Sequence, residues 1–131
     1  AFVYYYDGVK TGFDMLQDLS AAVPDLQFTY WDFGGGAVFV NTFAYGPYPA
    51  TGGGTTWWSY WLSDNGSDWS FAPVGAGARV LSDGSWDGWS FVPSFTDPAT
   101  QPDVPLVPEP ASLTVLGTLG AGWLAASRRR G

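Results

Sequence analysis

The spacing of hydrophobic residues changes along the first part of the chain, and this change predicts its elements. Residues 2–6 are aromatic or β-branched, which indicates a strand. In residues 13–23 apolar positions recur every three or four residues, which is the spacing of one helix face. This helix is expected to start after Thr11, with Asp14 completing a capping box, and to end at Pro24. We expect no second helix in this part of the chain.

The residues that follow the helix form short apolar or alternating stretches between glycine-rich breaks, a pattern typical of β-strands. Strands are predicted at residues 26–33, 37–45, 55–62, 68–74 and 86–92. A loop is expected at residues 46–54 and a hairpin turn at 64–67. Residues 79–81 and a turn at 83–84 come before the last strand. The order of one strand, one helix and several strands predicts a mainly β domain of the α+β class. Its helix must bury an apolar stripe against a sheet.

Three features recur in order within this domain: an aromatic strand at residues 57–61, a Gly-Ala pair at 75–76, and an Asp-Gly pair at 83–84 followed by Trp89. In these features residues 1–92 resemble the β-grasp domain at the C-terminus of transcobalamin and its bacterial relatives. The resemblance implies a small β-grasp-like sheet packed on one helix, with the family's first hairpin truncated. No cobalamin contact is carried over, because no ligand-contacting residue can be matched, and no cofactor is expected.

The C-terminal part of the chain divides into a proline-rich stretch, an apolar run and a basic end. Residues 93–107 contain four prolines and almost no periodicity, which predicts an extended linker. The last part of the chain begins with Pro108, Glu109 and Pro110, continues as the uncharged run 111–126, and ends with Arg128, Arg129 and Arg130.

The run 111–126 has apolar side chains on every face of a helix, which favours burial in lipid or in protein. As a helix it rises about 24 Å, less than the roughly 30 Å of a hydrocarbon core. Snorkelling arginines and local thinning make such a short span tolerable. We expect a single C-terminal transmembrane helix with its arginines on the cytoplasmic side. The alternative is a helix that packs into the domain's own core.

The order of these three pieces within residues 108–131 resembles the PEP-CTERM protein-sorting signal of Gram-negative bacteria. The resemblance implies that residues 108–110 are recognised by an exosortase, a membrane-embedded transpeptidase-like enzyme, and that residues 128–130 act as the membrane stop. It also implies an exported cell-envelope protein with residues 1–92 outside the cytoplasm, released to the cell surface or matrix after processing. Members of this family often accompany exopolysaccharide or biofilm matrix.

The start of the chain lacks the features of an export signal. An exported protein needs a signal peptide, whereas residues 2–6 begin abruptly in a strand-like run. We therefore expect either that the signal peptide has been removed or that the sequence is a fragment, and the abrupt start favours a fragment.

Composition and charge exclude several functions. Residues 1–107 contain eleven Asp against Lys10 and Arg79, a net charge of −9, so nucleic acid is excluded as a partner. The chain has no cysteine and no histidine, which excludes disulfides, thiolate or imidazole metal sites and histidine-based catalytic triads. We expect no catalytic residue, no metal and no enzymatic activity.

Four aspartates are candidates for an acid-base pair or a calcium site: Asp64, Asp68, Asp83 and Asp87. They lie near glycine-containing turns, where Asp is expected for its turn geometry alone. The loop at residues 64–68 supplies too few oxygens in the order that a calcium loop needs. A solvated acidic surface is the favoured interpretation.

Aromatic residues make up 18 per cent of the chain, including eight tryptophans. Trp57, Trp58, Trp61 and Trp69 are the candidates for a saccharide-stacking face, which predicts exopolysaccharide as a partner. The alternative is that most of these rings form the core, because each ring buries a large area. Both faces of the strand at residues 55–62 are apolar or aromatic, so the sequence leaves open which face meets water.

Overall fold

The computed structural model describes residues 1–105 of the chain. They form one helix and six strands: α1 Gly12–Ala22, β1 Leu26–Asp32, β2 Val38–Tyr45, β3 Tyr48–Thr51, β4 Trp57–Ser63, β5 Ser70–Phe71 and β6 Trp86–Val92. The prediction of a mainly β domain with one helix is confirmed. Within residues 1–105 the structure has no helix with the length and apolar character needed to cross a membrane. The expected transmembrane helix and sorting signal lie outside the described residues.

Helix α1 begins at the capping box that the sequence predicts. The Oγ1 atom of Thr11 accepts a hydrogen bond from the backbone N–H of Asp14 at 3.1 Å, and Asp14 Oδ2 accepts one from the N–H of Thr11 at 2.9 Å. The helix buries Met15, Leu16 and Leu19 against the strands. Leu16 and Leu19 belong to the predicted apolar stripe, whereas Met15 does not, and Phe13 and Val23 at the ends of the stripe are only partly buried.

The strands form two antiparallel sheets. Sheet 1 has the order β1-β2-β3, and sheet 2 has the order β5-β4-β6. Their inner faces meet in a shared core, where the ring of Phe43 lies 4.9 Å from Trp58 and 5.6 Å from Trp89. The expectation of one sheet is corrected accordingly. The chain turns tightly at Gly52, where a Cβ atom would lie 3.2 Å from the carbonyl oxygen of Asn41, and leaves sheet 1 there.

The first residues alternate in burial as a strand does, but residues 1–6 do not form a strand. Phe2, Tyr4 and Tyr6 are buried, whereas Tyr5 is exposed. The rings of Tyr4 and Tyr6 stack at 5.2 Å. The predicted strand at residues 2–6 is therefore wrong, because alternation reports an extended chain with one buried side and does not require a partner backbone.

Two further segments differ from the sequence-based expectation. The predicted loop at residues 46–54 contains β3, an edge strand in which a proline is tolerated. The predicted strand at residues 68–74 shortens to β5 Ser70–Phe71. In each case pairing with a neighbouring strand, more than composition, decides the outcome.

Candidate binding surface

Trp58 lies on the inner face of β4, in the core between the two sheets. Its ring packs edge-on against Phe43 of β2, and its indole N–H donates to the carbonyl oxygen of Ala50 at 2.9 Å. Only 8% of its surface is exposed. As placed, Trp58 offers no ring face to an external ligand and stabilises the packing of the two sheets.

The other candidate tryptophans, Trp57, Trp61 and Trp69, lie on the outer face of sheet 2. The ring of Phe71 contacts both β4 tryptophans, at 6.3 Å from Trp57 and 5.3 Å from Trp61. A Cβ atom on Gly88 would lie 2.9 Å from the ring of Trp69, so this ring packs directly on the backbone of β6. Trp69 is only 9% exposed, and the other two are half-buried. Most of this aromatic surface is used for packing.

The chain that follows β6 returns across the outer face of sheet 2. A Cβ atom on Gly88 would also lie 2.8 Å from Cγ of Pro102, and Pro102 is buried. The hydroxyls of Thr100 and Ser90 lie 3.3 Å apart. Residues 93–105 have no helix or strand, but they do not extend away from the domain as expected, because Pro102 and Pro105 are buried against it. We call this segment the covering segment.

The outer face of sheet 1 carries a second group of aromatic side chains, which we call the open aromatic patch: Trp31, Phe33 and Phe39. Trp31 of β1 pairs directly with Phe39 of β2, and the ring of Phe33 lies 6.0 Å from that of Phe39. Their exposed fractions are 60% for Trp31, 72% for Phe33 and 48% for Phe39. This patch, and not the tryptophans of sheet 2, presents aromatic rings to solvent.

A β-bulge allows β2 to keep Phe39 outside while it buries its other large residues. Inward positions are Val38 and Val40 before the bulge and Phe43 after it, so the spacing changes from two residues to three. The extra residue keeps the inner face of the strand apolar on both sides of the bulge. Phe39 therefore remains opposite Trp31, on the outer face.

The turn beside the patch is held tightly. Residues 34–36 are three glycines with φ between 61° and 83°. A Cβ atom on Gly36 would lie 2.8 Å from the backbone nitrogen of Ala78, so a side chain has no room there. The N–H of Phe33 donates to the carbonyl oxygen of Ala37 at 3.1 Å. Close packing and this hydrogen bond fix the backbone that carries Phe33.

A row of hydroxyl groups borders the open aromatic patch on one side. Thr29, Thr42 and Thr51 face one another across the three strands of sheet 1, on the same face as the patch, and Thr42 Oγ1 donates to Thr51 Oγ1 at 3.1 Å. Asp32 alternates with Trp31 along β1 and pairs with the inward residue Val38, so its carboxylate belongs to the other face. The polar border of the patch is therefore the row of threonine hydroxyls.

A buried polar cluster lies on the inner side of sheet 2. The hydroxyl of Tyr60 donates to Asp87 Oδ2 at 2.5 Å, and Arg79 Nε faces Asp87 Oδ1 at 3.4 Å as an ion pair. Asp87 is fully buried on β6, which corrects the expectation of a solvated turn residue. Arg79 is also largely buried, with 18% of its side chain exposed. A Cβ atom on Gly12 would lie 2.9 Å from Asp87 Oδ2, so the helix start packs on this cluster.

Burial dominates the titration of this cluster. It raises the pKa of Asp87 against the opposing effects of the Tyr60 hydroxyl and the Arg79 charge. Burial, and secondarily the Asp87 charge, raises the pKa of Tyr60 well above its usual value. These groups are packed between helix and sheet and have no route to a substrate, so the cluster organises the core.

Both cationic side chains of the described residues are engaged by carboxylates. Lys10 Nζ lies 3.2 Å from Asp18 Oδ2, and Arg79 is paired with Asp87. Asp18 also accepts a short hydrogen bond from the hydroxyl of Tyr4, which, ahead of the Lys10 charge, lowers the pKa of Asp18. Neither cation is left to bind an anionic ligand.

The remaining candidate aspartates lie at exposed turns. Asn65 organises the turn after β4, where its side-chain oxygen accepts from the N–H of Asp68 at 2.8 Å and its side-chain nitrogen donates to Asp68 Oδ2 at 2.7 Å. Asp64 and Asp83 are exposed. In the part of the chain that the structure describes, no group of three acidic side chains is arranged to hold a metal ion.

Comparison of the chain with protein-family models, with curated proteins and with solved structures found no match. The expected sorting residues, 108–110 and 128–130, lie outside the described residues. The geometry of residues 1–105 defines the candidate surface described above.

Sequence reasoning missed the open aromatic patch because it followed the density of tryptophans. The available signal was the alternation within β1, where Trp31 shares a face with Gln27 and Thr29, while Leu26 and Phe28 lie on the other face. A tryptophan on the polar face of a strand is a better candidate for exposure than one in a strand that is apolar on both faces.

Proposed function

We propose that this chain is an exported cell-envelope protein that an exosortase sorts through a PEP-CTERM signal, and that it displays a small non-catalytic domain. The observation that carries this proposal is the ordered tail of the sequence: residues 108–110, an uncharged apolar run, and arginines 128–130. Under this proposal the tail spans the membrane once, and the domain lies outside the cytoplasm in an exopolysaccharide context.

The domain in this proposal is β-grasp-like in its helix and its aromatic strand, with residues 93–107 connecting it to the membrane. Two features of the described residues support display outside the cell. The domain is acidic, and both of its cationic side chains are paired with carboxylates, which opposes association with nucleic acid or anionic lipid. It also presents an open aromatic patch to its surroundings.

Mass spectrometry of the mature C-terminus in a host that contains an exosortase tests the sorting step. We expect the exported chain to have lost Arg128, Arg129 and Arg130, and we expect Glu109→Ala or Pro108→Ala to abolish this processing, because each changes the recognition element. Pro98→Ala is the matched control, since it removes an exposed proline from the covering segment and leaves the tail unchanged. Exported protein that keeps all three arginines would contradict the proposal.

That contrary outcome would support the second candidate function, a tail-anchored saccharide-binding module that keeps its C-terminal helix. The observation that favours a binding role is the exposure of Trp31 and Phe33 on an otherwise well-packed domain. The second candidate differs from the first in keeping the tail, and it makes saccharide binding the role of the described domain.

A further inference from the structure

We propose that the open aromatic patch, Trp31, Phe33 and Phe39, is a binding site for a neutral polysaccharide. The aromatic faces stack on the C–H faces of sugar rings, and the bordering hydroxyls exchange hydrogen bonds with sugar hydroxyls. This inference rests on the proposed function only for the source of the ligand, since an exported domain meets extracellular glycans. The binding itself is a property of the purified chain.

The charges of the domain select an uncharged ligand. The described residues contain two cationic side chains, and both face carboxylates at 3.2 and 3.4 Å. Neither cation belongs to the patch, whose three side chains are uncharged. Uronic acid polymers, nucleic acids and anionic membranes would therefore meet repulsion without a compensating ion pair.

The area of the patch favours contact with a small ligand over contact with a second protein. With 150–250 Å² for each aromatic side chain, the three exposed fractions correspond to about 270–450 Å² of exposed aromatic area. A standard protein interface needs about 800 Å² from each partner. The patch is thus too small to hold a second copy of this chain stably, whereas it suits a few sugar rings of a polymer.

The polar border supplies the groups that a sugar needs in addition to stacking. Thr29 and Thr42 lie next to the patch on the same face of sheet 1, and their hydroxyls can both donate and accept. Hydroxyls on a ligand fit this arrangement, while a purely apolar ligand would leave the threonine row unused.

The patch is held in place before a ligand binds. Trp31 and Phe39 are cross-strand neighbours in a regular antiparallel pair, and Phe33 lies on the backbone that the glycine turn fixes. Gly36 packs against Ala78 so closely that the turn has little freedom. Preorganisation lowers the entropy lost on binding, which is needed when only a few contacts supply the affinity.

Affinity measurements on the full chain, kept in a detergent whose headgroup is not a sugar, test this proposal. Soluble β-glucan and mannan serve as neutral probes and polygalacturonate as the anionic one, with binding followed by sedimentation and tryptophan fluorescence. We expect at least one neutral polymer to bind, polygalacturonate not to bind, and the affinity to change little between about 50 and 500 mM salt, because no ion pair is formed.

Two variants and a matched control locate the site. Trp31→Ala should weaken binding by about tenfold or more, and Phe33→Ala by about threefold or more. Phe95→Ala removes an equally exposed phenylalanine outside the patch, since Phe95 is 65% exposed and Phe33 is 72% exposed. Its affinity should stay within about twofold of the unmodified chain, well inside one tenfold step of 1.4 kcal/mol.

The proposal is overturned if neither neutral polymer binds, if polygalacturonate binds better, or if Trp31→Ala and Phe33→Ala leave the affinity unchanged. Concentration-dependent dimers that Trp31→Ala abolishes would assign the patch to a second copy of the chain instead. None of these outcomes depends on processing of the tail. A failure of the sorting proposal and a failure of the binding proposal can therefore be distinguished.

Discussion

The outer faces of the two sheets have similar aromatic contents, but their tryptophans differ in how far they are exposed to solvent. On sheet 2 the rings of Trp57 and Trp61 pack with Phe71, while Trp69 and the covering segment lie over β6. On sheet 1, Trp31 remains more than half exposed. A strand therefore does not determine the exposure of its own tryptophans. The segments that return to the sheet later in the chain determine it.

The two faces also differ in how their backbones accommodate the rings. Sheet 2 places a glycine, Gly88, opposite Trp61, and the space without a side chain is filled by Trp69 and Pro102. In sheet 1, the residue opposite the outward-facing Trp31 is Phe39. A glycine in a strand permits a ring to lie on the backbone, whereas a large residue projects outwards and leaves its ring in solvent.

The largest expected difference between the faces comes from truncating one tryptophan on each. Trp69→Ala should lower the free energy of unfolding by about 3 kcal/mol, because a buried ring is lost and a cavity remains over β6. Trp31→Ala should change it by no more than about 0.5 kcal/mol, because its ring is largely in water already. Urea unfolding of both full-length variants, followed by circular dichroism, measures the two values. Equal losses would remove the distinction between a packed and an open face.

A smaller effect is expected from adding one methyl group to a glycine under the covering segment. Gly88→Ala should cost about 1–3 kcal/mol, because the new Cβ atom would meet both Trp69 and Pro102 at under 3 Å. Gly53→Ala is the matched control, since a Cβ atom there has no neighbour within 4 Å. The same unfolding measurement compares them. If Gly88→Ala is as stable as the control, residues 93–105 do not pack on sheet 2.

The sequence predicted local structure well where a pattern has a local cause. The capping box at Thr11 and Asp14 and the strand at residues 86–92 depend on residues close together in the chain, and both predictions are confirmed. The division into two sheets and the short β5 depend on which strands meet in space. No spacing within the sequence carries that information.

The candidate surface was predicted less well for the same reason. Aromatic content indicated that some rings would be exposed, but the partial burial of Trp57 depends on Phe71, a residue of another strand. The burial of Asp87 had no local signal either, since an aspartate before a glycine is typical of a turn. Its partners Tyr60 and Arg79 come from other parts of the chain.

The smallest expected effect is a difference in the pH dependence of the unfolding free energy. It concerns sheet 2 alone, because β6 of this sheet carries Asp87, the one charged side chain among the fully buried residues that the structure describes. Burial raises its folded-state pKa, so the native state binds the proton more tightly than the unfolded chain does. The stability that this group contributes is fully present below its unfolded pKa of about 3.9 and is lost as the pH rises through the folded pKa. The unfolding free energy of the unmodified chain should therefore fall, relative to that of Asp87→Asn, as the pH is raised from about 4 to 7.

Asp18 provides the opposite sign in the same experiment. The hydrogen bond from Tyr4 lowers its folded-state pKa, so its contribution is present above the unfolded pKa and is lost as the pH falls. Relative to Asp18→Asn, the unmodified chain should therefore gain stability as the pH rises, by a small amount because Asp18 is exposed.

Parallel pH profiles for the unmodified chain and Asp87→Asn would show that the carboxyl group of Asp87 is not buried in solution. The inner face of sheet 2 would then be as open to water as the outer face of sheet 1.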